Sequence, residues 1–300
     1  MKATIGIDLG GTGIKAILMN AQGTILDKTL APTNDDKTAP WKTVIAEMVG
    51  KLLGNGSYES IIIGIAAPGL PDELYRSIAH MPGRMQGLEH LVWRDYLRYP
   101  AFVLNDAVAA LVAEAKNGAA AGKQNVVMVT LGTGVGGAIL INGKPYMGAF
   151  NKAGHIGHMV INDEGECDIT GIPGSLEDAI GECTIRKRSN NKFSSTIELL
   201  EAYKSGDNFA EEVWLTSVRK LAIGLASVTN ILSPEVIVLG GGVTQANETL
   251  FDPLHNYIAK YEWRTDGNKV TIVKSNHGDM AGAIGAGLFA LEKYKSNTIH

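Results

Sequence analysis

Two short glycine-rich runs have the residue types and spacing to do chemistry. Asp8-Leu9-Gly10-Gly11-Thr12-Gly13-Ile14-Lys15 lies near the start, and Leu131-Gly132-Thr133-Gly134-Val135-Gly136-Gly137 lies in mid-chain. A hairpin tip of Gly and Thr presents backbone N–H groups and a hydroxyl, with no side chain blocking an anion. One such tip is an ordinary tight turn in most proteins, whereas two matching tips point to phosphate. A third cluster, Gly240-Gly241-Gly242-Val243, follows the run Val236 to Leu239 and is expected at the carboxyl end of a strand, where α/β folds place ligands. Alone it reads as a close strand-to-helix turn. Neither tip has the P-loop pattern, and no Gly-x-Gly-x-x-Gly opens a helix after the first strand. Both observations disfavour P-loop enzymes and dinucleotide oxidoreductases.

Carboxylates stand beside these runs. Asp8 ends the first predicted strand, next to the first tip, where it can hold Mg²⁺ through water. Asp106 is expected at the corner between a strand over Ala101 to Leu104 and a helix over Val108 to Asn117. An Asp in that position suits a helix N-cap as well as a catalytic base. Asn105 beside it adds a second polar group, and together the two make a grip for sugar hydroxyls.

The elements that must position these residues follow from apolar periodicity. Ile/Val-rich runs at Thr4 to Leu9, Ile14 to Met19, Ile61 to Ala66, Ala101 to Leu104, Val126 to Leu131, Ala138 to Ile141, Val236 to Leu239 and Val270 to Val273 predict buried strands. Trp41, Val44, Ile45, Met48, Val49, Leu52 and Leu53 recur at helical spacing and predict a helix ending at Gly54. A second helix is predicted from about Phe209 to Leu232, closed by Pro234. Strands alternating with such helices imply an α/β fold. The two glycine hairpins are themselves an internal repeat, each a strand, a tip and a strand. Their period of roughly 120 residues is too long for a solenoid and implies a duplicated domain. The chain is expected to divide into residues 1–118 and 119–300 within the Ala/Gly-rich stretch Gly118 to Gly122, with a last helix over about 281–293 packing back on the first half.

Bulk composition agrees. The 300 residues are 45% hydrophobic, enough for two buried cores. The formal net charge is -4, with acids and bases intermixed, so nothing resembles a patch for nucleic acid. Cys167 and Cys183 are too few for a disulfide framework and suit a reducing compartment. The opening residues carry no export signal and no apolar run reaches the ~20 residues that span a bilayer, so the expectation is a cytoplasmic protein without membrane contact.

In this order the motifs resemble the ROK family, a set of sugar kinases and sugar-responsive repressors in the actin-like ATPase superfamily. The resemblance also rests on Ala67-Pro68-Gly69, Asn105-Asp106-Ala107, Gly154-His155-Ile156-Gly157-His158, Gly174-Ser175-Leu176-Glu177 and Ala281-Gly282-Ala283-Ile284-Gly285-Ala286. It covers nearly the whole chain and implies two actin-like (ribonuclease H-like) domains flanking a nucleotide and sugar cleft. It implies ATP as phosphoryl donor with Mg²⁺, the latter held by Asp8 through water. Gly10, Gly11, Thr12 and Lys15, with Gly132, Thr133 and Gly134, would hold the phosphates, and Gly241 and Gly242 would flank the adenosine. Asp106 would be the general base, and Asn105, His155, His158 and Glu177 would join it in binding the sugar. A homodimer is also implied.

The chain departs from the family pattern in three places. His155 stands where the family carries Glu, and an imidazole both donates and accepts where a carboxylate only accepts. The cysteine-rich zinc loop is reduced to Cys167-Asp168-Ile169-Thr170-Gly171-Ile172-Pro173-Gly174-Ser175, and no structural zinc is expected. A site from His155, His158, Cys167 and Cys183 matches no common zinc spacing. The segment Met81-Pro82-Gly83-Arg84-Met85 replaces a family Asn-Leu, which brings Arg84 into question as a sugar contact against a solvated surface arginine. The leading reading is an ATP-dependent kinase for a hexose or related sugar, glucokinase-like, at the 6-hydroxyl. Its rivals are a catalytically silent sugar sensor, a kinase for an atypical sugar or polyol, a kinase using polyphosphate, and a repressor. The last is disfavoured because the first phosphate strand begins at once, with no helix-turn-helix ahead of it.

Overall fold

β-branched runs build two sheets of the same design. In the first, β1 (Lys2–Leu9) pairs antiparallel with β2 (Gly13–Asn20), which pairs with β3 (Ile25–Pro32). On its other side β1 runs parallel to β4 (Ser60–Ala67). The short hairpin β5 (Leu70–Pro71) and β6 (Ile78–His80) comes next in the chain, and β7 (Ala101–Asn105) closes the sheet parallel to β4. In the second, β8 (Val126–Leu131) pairs antiparallel with β9 (Val135–Ile141), β10 (Lys144–Pro145) lies at the β9 edge, and β11 (Val236–Gly240) and β12 (Thr271–Lys274) run parallel on the other side. The orders are β3-β2-β1-β4-β7 and β10-β9-β8-β11-β12, so the repeat seen in the hairpins extends through each whole sheet. β5, β6 and β10, each of two or three residues, and the longer β3 have no counterpart among the predicted strands. β3 lies at an edge and is mostly exposed, and its charged residues hide the alternation that marks a buried strand.

This computed structural model describes residues 2–36, 38–81 and 85–298. Pro82, Gly83 and Arg84, and with them the expectation that Arg84 reaches a sugar, lie outside the described residues. The chain forms two units, one of Met1–Gly122, Pro145–Ala153 and Asn276–His300, the other of Lys123–Lys144 and Gly154–Ser275. The expected division at 118/119 differs in that the first unit runs to Gly122 and takes two later segments. Buried Glu114 supplies a reason: its carboxylate accepts from Ala119 N (2.7 Å), Asn276 N (3.1 Å) and His277 N (2.9 Å). The first later segment is tied in by Asn151 Nδ2, which donates to Pro71 O at 3.1 Å.

The helices cover the sheets with their apolar faces. In the first unit these are α1 (Trp41–Leu53), α2 (Trp93–Leu97), α3 (Asp106–Asn117) and the C-terminal helix Ala281–Thr298. α1 ends at Gly54, whose N–H bonds to Gly50 O at 2.9 Å with φ of +47°. The C-terminal helix packs backbone to backbone on the sheet. Side chains at Gly6 of β1 and Gly64 of β4 would run into its carbonyls at Ala283 and Ala286. In the second unit the helices are α4 (Leu176–Ile180), α5 (Ile185–Arg188), α6 (Thr196–Lys204), α7 (Asn208–Leu232) and α8 (Glu248–Tyr261). α7 buries Trp214, Val218, Leu221 and Leu225, and Trp214 Nε1 donates to Thr249 O at 2.9 Å. It stops at Ser233 in the left-handed region, one residue before Pro234.

Candidate functional site

In the first unit the antiparallel register sets Asp8 opposite Lys15 across the base of the first hairpin. Gly10 N donates to Gly13 O (3.1 Å), Thr33 Oγ1 to Gly10 O (2.7 Å) and Thr33 N to Thr12 O (3.1 Å). The tip is therefore fixed by its own backbone and by the end of β3. The amides of exposed Gly11 and Thr12 make no hydrogen bond among the described residues. The amide of Gly10 closes the turn.

Asp8 is partly buried against the first turn of the C-terminal helix. A Cβ at Gly282 would lie 2.6 Å from its carboxyl carbon, so only glycine leaves it room. Lys15 Nζ donates to Asp279 O at 2.7 Å and lies 3.3 Å from Asp279 Oδ2. Burial, then the charge of Asp106, push the Asp8 carboxyl up to about 7, with Asp279 adding to the rise and Lys15 opposing it. Asp106 and Asp279 both raise Asp8 and only Lys15 opposes them, so negative charge around Asp8 is incompletely compensated. Asp279 was not singled out from the sequence. It sits two residues before Ala281-Gly282, and only tertiary contact brings it to Lys15.

Asn105, not Asp106, caps α3. Its Oδ1 accepts from Ala107 N (3.0 Å) and Val108 N (3.4 Å), and its Nδ2 donates to Gly69 O at 3.2 Å. Asn105 is buried and spends most of its hydrogen-bonding capacity on the corner. Asp106 is the first helical residue and exposed, with Oδ1 accepting from Ala107 N at 2.8 Å. The alternative that Asp106 is simply the cap is thereby overturned: the preceding residue satisfies the helix amides.

In the second unit the other tip is backed by protein. Gly132 N donates to Gly134 O (3.0 Å), so this amide too closes its turn. From the 3₁₀ turn Glu182–Thr184, Glu182 N donates to Gly132 O (3.0 Å) and Cys183 N to Thr133 O (2.8 Å). Glu177, in the first turn of α4, accepts from Val135 N at 2.9 Å through Oε2, and a side chain at Gly134 would overlap that oxygen. The amides of Thr133 and Gly134 make no hydrogen bond among the described residues. Gly241, with φ of +90°, approaches Leu131 O so closely that no side chain fits, while a Cβ at Gly242 would meet open space.

His155 and His158 bracket the 3₁₀ turn Ile156–His158, their rings nearly parallel at 12° with centroids 6.2 Å apart. Gly157 lets this turn pack on the Val135 carbonyl, beside the tip. His158 Nδ1 lies 3.4 Å from Asp168 Oδ2. The structure thus gathers Gly132, Thr133, Gly134, Glu177, His155 and His158 in one unit, and Asp8, Gly10, Gly11, Thr12, Lys15, Asn105 and Asp106 in the other. Asp168 was also missed, because its only sequence signal is its place after Cys167. Cys183 is exposed at the surface, and partial desolvation of its thiol, followed by the charges of Glu177 and Asp178, pushes it up. Among the described residues, no three His, Cys, Asp or Glu side chains cluster to hold a metal ion, and no helix is long and apolar enough to cross a membrane.

Comparison with known proteins agrees with this arrangement of motifs. The model of the ROK family matches residues 4–293. A glucokinase of Halalkalibacterium halodurans is 31% identical, over 97% of this chain and 96% of that protein. Among solved structures, a ROK hexokinase from Thermus thermophilus has a TM-score of 0.84 at 29% identity, covering 98% of this chain and 99% of that one. A ROK family glucokinase from Streptomyces griseus, in complex with glucose and AMPPNP, has a TM-score of 0.81 at 26% identity, covering 97% and 99%. Two five-stranded α/β sheets with these neighbours bear out the expected pair of actin-like domains.

Proposed function

The chain belongs to the ROK family, and from that premise we propose that it is an ATP-dependent kinase for a hexose or closely related sugar, acting at the 6-hydroxyl. The observation that carries the reading is Asp106. Its carboxylate is exposed at a strand-to-helix corner whose cap is provided by Asn105, and it is close enough to Asp8 to raise that group's pKa. Glucose and AMPPNP in the Streptomyces griseus glucokinase support a sugar acceptor and a nucleoside triphosphate donor.

Phosphoryl transfer has a loose transition state, so alignment and charge neutralisation do most of the work. The amides of Gly11 and Thr12 and those of Thr133 and Gly134 are assigned to the phosphates, with Gly10 and Gly132 shaping the tips and Lys15 adding positive charge. Gly241 and Gly242 are assigned to the adenosine. Asp8 would hold Mg²⁺ through water, with Asp279 contributing charge beside it. A bound Mg²⁺ neutralises charge on the phosphates. Asp106 accepts the hydroxyl proton as the acceptor oxygen bonds to the γ-phosphorus and the bridging oxygen leaves with ADP. Asn105, His155, His158 and Glu177 orient the sugar, Asn105 chiefly by fixing the corner. The reading carries with it a cytoplasmic homodimer.

The chemistry of His155 favours one narrower form, an atypical sugar or polyol as acceptor, because imidazole matches a different hydroxyl pattern from carboxylate. ADP release measured over a panel of hexoses, amino sugars and polyols, with ATP and with polyphosphate as donor, tests both forms. Release from ATP that depends on one class of acceptor is the expected result. A protein that binds a sugar but releases no ADP is the silent sensor, and polyphosphate as sole donor would reject ATP.

A further inference from the structure

One buried carboxylate of the second unit takes no part in this phosphoryl transfer. Asp168 lies in the loop between the His155–His158 turn and α4, its side chain 1% exposed. Its Oδ1 accepts from Thr170 N (2.8 Å), Thr170 Oγ1 (2.7 Å) and Ile172 N (3.1 Å), and the Ser175 hydroxyl donates to the same carboxylate. Asp168 N donates to Ile172 O at 2.8 Å, which closes the loop on itself. Its Oδ2 faces His158 Nδ1. Burial alone would favour protonation, but the hydrogen bonds from Thr170, Ser175 and Ile172 outweigh it and hold the carboxyl well below the usual range. An ionised carboxylate can only accept, so the proton shared with the ring sits on Nδ1. The neutral ring then carries its lone pair on Nε2.

We propose that Asp168 is a positioning residue of the acceptor site, fixing His158 as the Nδ1–H tautomer so that Nε2 accepts a hydrogen bond from a sugar hydroxyl. The same carboxylate holds Ser175, whose Oγ caps α4 by accepting from Asp178 N at 3.3 Å, and α4 carries Glu177. One buried charge thereby sets two of the side chains assigned to the sugar. Only the identity of the hydroxyl rests on the sugar-kinase reading; the tautomer does not. A ring held by a carboxylate on one nitrogen selects for a hydrogen donor at the other, which makes Asp168 a determinant of acceptor specificity.

Long-range ¹H–¹⁵N correlation spectra of the histidine rings at pH 8 test this, with the His158 signals assigned by their loss in His158→Asn. The wild-type protein, treated with chelator, is expected to show the Nδ1–H tautomer at His158. In Asp168→Asn the amide nitrogen can turn a donor toward Nδ1, so the ring is expected to move to the Nε2–H form. The KM for the acceptor should then rise about tenfold, as for other groups that orient a functional histidine, with the KM for ATP unchanged. Nε2–H at His158 in the wild type overturns the proposal even if Asp168→Asn fails to fold. An unchanged tautomer or acceptor KM in a folded Asp168→Asn overturns it as well. Absence of any turnover in the wild type counts against the kinase reading, and the tautomer still decides this one.

Discussion

The two sheets share their strand order and the place of their glycine hairpins, yet the tips are furnished differently. At the first, the charges of Asp106 and Asp279 act on Asp8, which lies opposite Lys15, and the backbone turn is closed by Gly10 and Thr33. The second has acidic side chains of its own, Glu177 and Asp178, which act on Cys183. It is propped by backbone N–H groups from Glu182 and Cys183 and by the Glu177 carboxylate on Val135 N. Duplication supplied two equivalent ways of exposing amides, and the surrounding segments then put Asp8, Asp106 and Asp279 in one unit and a backbone-propped support beside two histidines in the other. The asymmetry of role lies in the segments packed around each hairpin, since the hairpins themselves are alike.

The strongest way to break the comparison is at Asp106. Asp106→Asn is expected to lower kcat by about 10³-fold, the range for losing a general base, while thermal unfolding changes little because Asn105 makes the cap. Asn105→Ala should cost about 1 kcal/mol of stability through the lost cap, a loss Asp106→Asn does not share. Steady-state kinetics and thermal melts on the two variants separate base from cap; comparable kcat in Asp106→Asn and wild type would remove Asp106 as the base.

Asp8 gives the next largest effect. Its folded-state pKa of about 7 lies above the unfolded carboxylate value, so the native state binds the proton more tightly. Without metal, the protein gains stability as pH falls from about 7 to about 4 and loses it again as pH rises through 7. Asp8→Asn removes that dependence and should stabilise the metal-free protein at pH 8 by about 2–4 kcal/mol. In the wild type, protons and Mg²⁺ compete for Asp8, so Mg²⁺ affinity should fall below pH 7. Melts at pH 4 and 8 check the first point and Mg²⁺ titrations at two pH values the second. A flat difference between wild type and variant would mean that Asp8 is ordinarily ionised.

Smaller effects sharpen the second tip. Gly134→Ala pushes a methyl into Glu177 Oε2 and should lower kcat/KM by about tenfold, with a cost of about 1–3 kcal/mol from overpacking. Gly242→Ala, facing open space, should change stability by no more than about 0.5 kcal/mol. Equal losses at the two positions would show that the Glu177 contact does not support the tip.

How much of this was legible depended on whether a feature is local. Strands of unbroken aliphatic residues, such as Val126 to Val129 and Val236 to Leu239, announce themselves because both sheet faces are covered. β3 did not, since Asp27 and Lys28 interrupt an exposed edge. The hairpin tips were legible as motifs, but not which amide closes each turn, because that depends on φ and ψ and not on residue type. Asn105 and Asp106 are both good caps, and their sequence order does not say which one the backbone turns inward. Asp168 and Asp279 acquire meaning only through Thr170, Ser175 and His158, or through Lys15 some 264 residues away.

Phosphoryl transfer from ATP to a sugar hydroxyl, with Asp106 as proton acceptor, is the central claim. ³¹P NMR of the wild-type protein with ATP, Mg²⁺ and the best acceptor of the panel tests it most directly. A sugar-phosphate monoester resonance should grow, matched one-to-one by ADP, and be lost in Asp106→Asn. Inorganic phosphate as the only product, or an undiminished ester signal in Asp106→Asn, would contradict it.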